Sequence, residues 1–186
     1  MKDSYVCPLC GVKFEEDLNQ FLDHGRQEIE KVLKEKYLVR PKPCFGCPIA
    51  CGRKSTLEGT TYGGKGEGPE YETIASLGSA CGLDDLAQVT KANYLCNELG
   101  LDTISAGVTI ACAMELYEKG ILPEEDAGMP LPFGDGDAVI ELVEKTAYRD
   151  GFGDLLAEGS YRLAERYGHP ELSITAKKQE FPGYDP

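Results

Sequence analysis

The stretch that decides the fold is Leu95-Cys96-Asn97-Glu98-Leu99-Gly100-Leu101-Asp102-Thr103-Ile104-Ser105. Gly100 is typical of the position after a helix, because glycine adopts a left-handed backbone conformation without strain. Asp102 is typical of an N-cap, the residue whose side chain opens the next helix. The sequence therefore predicts two helices joined by so few residues that they meet at a sharp corner.

Outward from this corner, the chain continues to favour helices. The helix before the corner begins near Asp85, and Gln88 is its predicted capping-box partner. The helix after the corner runs to Gly120. A Pro- and Gly-rich loop follows over 121–136, and further helices are predicted over 137–150, after Asp137 as N-cap, and over 154–167, before Gly168.

The first third of the chain is less regular. Apolar residues recur at helical spacing over 14–38, which predicts a helix that ends before the Pro-Lys-Pro at 41–43. Residues 44–70 are rich in glycine and are predicted to be loop, and the tail 180–186 resembles a connector. Since no strand-like alternation of any length is present, the expected fold class is mainly α: an irregular helical domain with a Gly-rich cysteine loop.

Composition excludes several classes of protein. The 186 residues suffice for one domain with a core, and the net charge of −13 argues against binding to nucleic acid, whose phosphates would be repelled. No apolar run approaches the roughly 20 residues that a membrane span needs. The start of the chain lacks the apolar region of a signal peptide, so a cytoplasmic location is expected.

The eight cysteines divide into clusters and singles. Tight clusters in a cytoplasmic protein point to metal binding rather than to disulfides. The clustered cysteines are Cys7 and Cys10, then Cys44, Cys47 and Cys51. Cys81, Cys96 and Cys112 stand singly in apolar helical segments, where we expect them to be buried small hydrophobes.

The second cluster, Cys44-Phe45-Gly46-Cys47-Pro48-Ile49-Ala50-Cys51, has C-x2-C-x3-C spacing. Three thiolates this close can hold one side of a cuboidal [4Fe–4S] cluster, with a fourth ligand from elsewhere. Zinc is the main alternative, although zinc sites usually pair two such motifs; plain structural thiols are another. The surrounding basic residues, which would offset the negative charge of a thiolate-ligated cluster, are Arg40, Lys42, Arg53 and Lys54.

The first cluster, Cys7-Pro8-Leu9-Cys10, has the form of a zinc knuckle. Thirteen residues separate His24 from Cys10, near a zinc-finger spacing, and Glu28 is a possible oxygen ligand. A metal-free turn before a helix explains the same residues about as well. A redox dithiol is the remaining alternative, without the fold context that such a motif usually has.

Residues 40–186 resemble the tungsten-containing aldehyde:ferredoxin oxidoreductase family, specifically its helical middle domain. The resemblance is carried, in order, by the cysteine loop 44–52, by Gly68-Pro69-Glu70-Tyr71-Glu72-Thr73, by residues 95–105 and by Glu180-Phe181-Pro182-Gly183-Tyr184-Asp185-Pro186. Residues 1–39 do not share it. The predicted organisation is therefore a knuckle with a helix over 1–39 and a family-like helical domain over 40–186.

The resemblance implies roles for these motifs. It implies that Cys44, Cys47 and Cys51 bind the [4Fe–4S] cluster and that Glu72 is the carboxylate beside the metal, with Glu70 a weaker candidate. It also implies a pterin-binding motif at Asn97, Gly100, Leu101 and Asp102, in which Asn97 replaces the usual aspartate but keeps an acceptor oxygen. By themselves, the same residues would fit an ordinary helix corner and a solvated loop acid.

The resemblance further implies an activity: oxidation of an aldehyde to a carboxylate by a tungsten or molybdenum bis-pterin, with electrons passing through the cluster to ferredoxin. Full members of the family are much longer. A second pterin motif with the fourth cluster cysteine is missing here, and neither His24 nor His169 matches the active-site histidine. We therefore expect a fragment or subunit that needs the remaining domains or a partner chain. The alternative is a non-catalytic iron–sulfur or zinc-binding module.

Overall fold

Helices dominate the computed structural model, which describes residues 4–6, 13–15, 27–49 and 51–183. The mainly α class is thereby confirmed. The helices are α1 (27–32, continuing as a π-helical turn over Leu33–Tyr37), α2 (Tyr71–Thr73, continuing as a π-helical turn over Ile74–Ser79), α3 (Leu86–Leu99), α4 (Thr103–Glu118), α5 (Glu124–Ala127), α6 (Gly136–Tyr148), α7 (Phe152–Leu156) and α8 (Ser160–Arg166), with a 3-10 turn at Pro170–Leu172.

Among the residues that the structure describes, the strands are short and form three separate antiparallel sheets. One sheet has three strands in the order β3–β4–β5, and the other two are hairpins, β1–β2 and β6–β7. The strands are β1 (Ser4–Val6), β2 (Lys13–Glu15), β3 (Leu38–Pro41), β4 (Arg53–Thr56), β5 (Lys65–Glu67), β6 (Thr175–Ala176) and β7 (Gln179–Glu180).

The predicted corner between α3 and α4 is confirmed. Gly100 has a φ of +77°, in the left-handed region that favours glycine. The backbone N–H of Leu101 donates to the carbonyl oxygen of Cys96 at 2.9 Å, which closes the end of α3. The carboxylate of Asp102 accepts a hydrogen bond from the N–H of Ser105 at 2.8 Å and caps α4.

The main core lies between α3, α4, α6, α7 and α8. Its fully buried side chains include Ile110, Met114, Leu142 and Leu163. A smaller apolar cluster, centred on Leu57 and Tyr94, lies between the three-stranded sheet and α3. In the part of the chain that the structure describes, no helix combines the length and the apolar character needed to cross a bilayer.

The prediction of loop throughout 44–70 was wrong, because β4 and β5 lie within it. The strands were hidden by glycines: a Cβ on Gly66 would lie 2.7 Å from a ring carbon of Tyr94, so packing requires glycine in β5. Of the predicted connector 180–186, only residue 180 belongs to the β6–β7 hairpin, and residues 184–186 lie outside the described part of the chain.

The helix predicted over 14–38 is present only in part. Its first residues belong to β2, where Phe14 pairs with Tyr5 of β1. Residues 16–26 lie outside the described part of the chain. The helical path resumes at 27 and ends at Tyr37, where β3 begins; the prolines at 41 and 43 disfavour helical geometry in the residues before them.

Three further helix predictions need correction. Asp85 caps α3 as predicted, but the side chain of Gln88 donates to the Tyr62 hydroxyl at 2.8 Å instead of completing a capping box. Asp135, not Asp137, caps α6. The helix predicted over 154–167 is divided into α7 and α8, because Gly159 has a φ of +87° and interrupts the helical path.

Candidate functional site: the cysteine loop and the helix corner

The cysteine loop is held at its base by the three-stranded sheet. The N–H of Lys42 donates to the carbonyl oxygen of Gly52 at 2.8 Å, which closes the loop between β3 and β4. Within the loop, the N–H of Cys47 donates to the carbonyl oxygen of Cys44 at 3.1 Å. Cys44 and Cys51 are exposed and Cys47 is half-buried, so the thiols lie at the surface.

The strands that carry the loop concentrate positive charge. Arg40 and Lys54 are register partners across β3 and β4. Like charges in directly opposite positions destabilise a sheet, and Glu67 of β5, the register partner of Lys54, offsets part of this repulsion. Lys42 is paired with Glu67 of β5, and the Arg53 guanidinium lies 3.4 Å from the carbonyl oxygen of Cys51.

Glu72 follows the sheet almost directly. The N–H of Gly68 donates to the carbonyl oxygen of Arg53 at 2.9 Å, and this bond fixes the segment that leads into α2. Oε2 of Glu72 accepts a hydrogen bond from the N–H of Gly183 at 2.6 Å. Oε1 is buried and has no hydrogen-bond partner among the described residues. Glu70, by contrast, is exposed at the start of α2.

The helix that carries Glu72 contacts the helix that Asp102 caps. The hydroxyls of Thr73 and Thr103 lie 2.9 Å apart. The Ser76 hydroxyl donates to the carbonyl oxygen of Thr103 at 3.0 Å. Because Thr103 is the first residue of α4, these bonds bring Glu72 and the corner together although they are distant in sequence.

At the corner itself, Asn97, Gly100 and Asp102 are exposed, and Leu101 is half-buried. The positive end of the α4 dipole favours an anionic ligand here. The carboxylate of Asp102, which accepts from the N–H of Ser105, already neutralises part of that positive charge. Directly beneath, burial and then the charge of Asp102 raise the pKa of the Cys96 thiol to about 12.

Helix α3 is fixed to the sheet that bears the cysteines. The Tyr94 hydroxyl lies 2.7 Å from the Ser55 hydroxyl in a buried position. The side-chain amide of Asn93 donates to the carbonyl oxygen of Glu67 at 2.7 Å. Asn93 precedes Asn97 by one helical turn, so this contact sets the position of the corner relative to the loop.

Most of the ligands predicted for the first cysteine cluster lie outside the described residues. Cys7, Cys10 and His24 lie outside the described residues, and Glu28 is half-buried on α1. Across 27–49 and 51–183, no three His, Cys, Asp or Glu side chains converge closely enough to hold a metal ion, so the loop thiols share a loop without converging.

The single cysteines are buried, as predicted. Cys81 and Cys96 are fully buried and Cys112 nearly so. Burial raises the pKa of Cys81 to about 12, and burial together with Glu115 and Glu180 raises that of Cys112 to about 11. These thiols stay protonated at neutral pH, whereas a metal ligand must be a thiolate.

The sequence did not single out Glu180 or Gly183, which were quoted only as part of a matching motif. Oε1 of Glu180 accepts hydrogen bonds from the hydroxyl and the N–H of Ser160, at 2.7 and 3.0 Å. Burial alone would raise the pKa of Glu180, but the bonds from Ser160 and Ser105 outweigh it and hold the pKa below its usual range. Glu180 is half-buried, and no local sequence pattern marks it.

Comparison with known proteins finds a matching family and several relatives. The family described as "Aldehyde ferredoxin oxidoreductase, domains 2 & 3" matches residues 13–186, starting upstream of the predicted domain boundary at residue 40. The tungsten-containing aldehyde ferredoxin oxidoreductase of Pyrococcus furiosus is 56% identical over 165 residues, which is 88% of this chain and 27% of that protein. The corresponding protein of Thermococcus kodakarensis is 50% identical over 166 residues, with the same coverage.

More distant relatives extend the comparison. The WOR-like subunit of aliphatic sulfonate oxidoreductase from Pyrococcus furiosus is 39% identical over 144 residues, covering 76% of this chain and 23% of that subunit. A solved structure, the active site complex BamBC of benzoyl coenzyme A reductase with 1,5-dienoyl-CoA, matches 98% of this chain and 27% of its own, with a TM-score of 0.70 and 28% identity. The chain thus spans 27% of the length of the most similar of these curated relatives.

Proposed function

This chain belongs to the aldehyde ferredoxin oxidoreductase family, and we propose that it supplies three parts of such an enzyme: the cluster-binding loop, the pterin-binding corner and the carboxylate that handles protons. The complete enzyme oxidises an aldehyde to a carboxylate with oxygen from water and passes the electrons to ferredoxin. The observation that carries this proposal is that Cys44 and Cys51 are exposed and Cys47 is half-buried on one loop, whereas every other cysteine among the described residues is buried.

The donor set of the loop suits a [4Fe–4S] cluster. Thiolates are the usual ligands of such clusters, and three closely spaced cysteines need one more ligand from elsewhere. The buried cysteines are poor candidates for that ligand, because their raised pKa values keep them protonated. We therefore propose that the fourth cysteine comes from another segment of the enzyme or from a partner chain.

The charge around the loop supports the same assignment. The basic residues at the base of the loop outnumber their acidic neighbour, because Glu67 of β5, the register partner of Lys54 and the ion-pair partner of Lys42, offsets only part of their charge. A thiolate-ligated cluster would supply further negative charge. Positive neighbours in turn favour the reduced state of a cluster and so raise its potential.

Glu72 has the geometry of a proton acceptor. Its Oε2 is fixed by Gly183, while Oε1 is buried and has no partner among the described residues. A bound tungsten or molybdenum pterin would take up the two electrons that the aldehyde loses. Beside it, Glu72 would accept a proton from the water that provides the new oxygen. Asn97 and Asp102, exposed at the corner, would hydrogen-bond the pterin.

Exposed apolar side chains in the loop indicate where the rest of the enzyme packs. Phe45 is fully exposed and Ile49 is 79% exposed. Apolar side chains gathered in one place on a surface commonly mark an interface. We propose that the remaining domains, or a partner chain, cover them, and that ferredoxin receives electrons from the cluster. The proposal assigns the chain to the cytoplasm, where thiols stay reduced.

The test is a metal analysis of protein purified without oxygen. Iron, sulfide, zinc and tungsten are measured in the wild-type chain, in Cys47→Ser and in Cys96→Ala, which removes a buried thiol as the matched control. We expect about four irons per chain and a broad visible charge-transfer band. Both should be lost in Cys47→Ser and kept in Cys96→Ala.

The opposite results point to the alternative function. If iron is absent and zinc is bound, and if Cys7→Ser abolishes the zinc, then the segment 1–39 is a zinc knuckle and the cluster assignment is wrong. The pterin assignment needs a separate measurement. Purified together with the remaining domains, the chain should carry tungsten or molybdenum and a pterin; iron and sulfide alone would instead identify a non-catalytic electron carrier.

A further inference from the structure

We propose that the segment Glu180–Gly183, here called the strap, positions Glu72 for catalysis, and that Glu180 is the anchor of the strap. This inference rests on the proposed catalytic role of Glu72. It assigns functions to two positions, Glu180 and Gly183, that lie more than a hundred residues after the carboxylate they serve. Both would be positioning residues, since they act through Glu72.

One end of the strap is fixed to the helical body. Oε1 of Glu180 accepts two hydrogen bonds from Ser160, the first residue of α8, and the hydroxyl of Thr109 on α4 lies 3.4 Å away. Hydrogen bonds to an ionised carboxylate are stronger than those between neutral groups. The anchor therefore joins the strap to two helices of the main core.

The other end of the strap binds α2 through the backbone N–H and the carbonyl oxygen of Gly183. The N–H of Gly183 donates to Oε2 of Glu72 at 2.6 Å, and the hydroxyl of Tyr71 donates to the carbonyl oxygen of Gly183 at 3.3 Å. The fit is close: a Cβ on Gly183 would lie 2.6 Å from the Cβ of Ala75. Only glycine fits between the strap and α2.

This arrangement distinguishes the two oxygens of Glu72. Because Oε2 is occupied by the strap, the carboxylate cannot rotate freely, and Oε1 is left as the oxygen that can accept a proton. Catalytic groups gain from being held in one productive orientation. The strap therefore holds Glu72 in one orientation, as a hydrogen-bonding neighbour often holds a catalytic base.

The first test follows the Gly183 amide by NMR and hydrogen exchange in the 186-residue chain. In Glu72→Ala the amide proton should lose its downfield shift and exchange about tenfold faster or more, because a charge-assisted bond is lost. Glu70→Ala, two residues away at the exposed start of α2, is the matched control and should leave the amide unchanged. An amide insensitive to Glu72 would overturn the proposal.

The anchor is tested in the same way. Glu180→Ala should also accelerate exchange at Gly183, although Glu72 is intact, whereas Glu165→Ala, an exposed glutamate on α8, should not. If Glu180→Ala leaves the Gly183 amide as protected as in the wild type, Glu180 is not the anchor.

A steric rescue separates positioning from a general loss of folding. Gly183→Ala should expel the strap, with the same change in exchange at residue 183 as Glu72→Ala. Adding Ala75→Gly removes the atom that the new methyl group meets, so the double variant should recover protection. Failure of this rescue while Ala75→Gly alone is well folded would contradict the close fit on which the strap depends.

Activity of the holoenzyme then distinguishes the two proposals. If the strap positions the base, Glu180→Ala should lower kcat by about tenfold with little change in KM, and Gly183→Ala/Ala75→Gly should regain most of the loss. If Glu72→Gln leaves kcat unchanged, the catalytic role of Glu72 fails, whatever the amide data. If Glu72→Gln abolishes turnover but Glu180→Ala does not alter it, the strap proposal alone fails.

Discussion

The cysteine loop and the helical body hold the same reactive side chain in opposite environments. In the loop, which rests on β3 and β4, Cys44 and Cys51 are exposed to solvent. In the body, Cys81 and Cys96 are fully buried and their pKa values are raised to about 12. Burial, rather than residue type, therefore decides which thiols can become metal ligands.

The apolar side chains divide along the same line. Phe45 and Ile49 of the loop are exposed, whereas the body buries residues such as Leu142 and Met114 completely. The body thus stabilises itself, and the loop presents chemistry together with an uncovered apolar surface. The two regions meet at the contacts of α3 with β4 and β5, where Tyr94 bonds to Ser55.

The largest expected effect is on thiol reactivity. At pH 8 a thiol with a pKa of about 12 is ionised roughly once in ten thousand molecules, and burial limits access further. We expect Cys81 and Cys96 to be alkylated by iodoacetamide at least about a hundredfold more slowly than Cys44 and Cys51. Mass spectrometry of metal-free protein over time measures the rates.

Denatured protein is the control, because all cysteines should then react at similar rates. Equal rates in the native state would break the contrast between loop and body. In protein that still holds iron, slow alkylation of the loop that becomes fast after a chelator removes the iron would instead sharpen the contrast, because a bound cluster protects its ligands.

The second prediction compares apolar side chains. Leu142→Ala removes a fully buried side chain on α6 and should lower the free energy of unfolding by about 2–5 kcal/mol. Ile49→Ala in the loop should change it by less than about 0.5 kcal/mol, because Ile49 is 79% exposed. Urea titrations of the chain measure both. A large loss for Ile49→Ala would mean that the loop packs on the body in solution.

The sequence predicts the body better than the loop. At the corner, Gly100 and Asp102 act locally, through a left-handed turn and a cap, so their roles can be read from neighbouring residues. The strands β4 and β5 cannot be predicted from neighbouring residues in this way. Glycine is needed at Gly66 because the Tyr94 ring, which is distant in sequence, packs against it. The N–H of Ser160 at the start of α8 likewise donates to Glu180, which belongs to another element.

The candidate site follows the same rule. The cysteine spacing and the motif around Glu72 are local patterns, and both could be selected from the sequence. The link between Glu72 and Gly183 joins residues 111 positions apart and leaves no local pattern. Contacts of this kind depend on the packing of the whole chain, which composition and periodicity do not encode.

The third prediction tests the contact between the helical body and the sheet that carries the cysteine loop. Tyr94→Phe removes the hydroxyl that lies 2.7 Å from the Ser55 hydroxyl and leaves a buried polar group without its partner. We expect the free energy of unfolding to fall by about 1–3 kcal/mol. Tyr148→Phe, which alters an exposed tyrosine on α6, is the control and should change little. No loss in Tyr94→Phe would mean that the loop region and the body are joined mainly by apolar contacts.

The smallest effect tests how the tail attaches to the body. Burial alone would raise the pKa of Glu180, but the bonds from Ser160 and Ser105 hold it below the ordinary value of 4.5. The unfolded chain therefore binds the proton more readily. The stabilisation from ionised Glu180 is complete above that ordinary value and is lost as pH falls through the lower folded pKa.

Glu180→Gln should accordingly lower the free energy of unfolding by about 1 kcal/mol at pH 7, and the difference from wild type should shrink as the pH falls below 4.5 and through the lower folded pKa. Urea titrations at pH 7, 5 and 3.5 measure it, with Glu165→Gln on the exposed face of α8 as the control. A difference that persists unchanged in acid would mean that the side chain acts by shape, not by charge. The tail would then be held, like the helical body, by packing and not by charge.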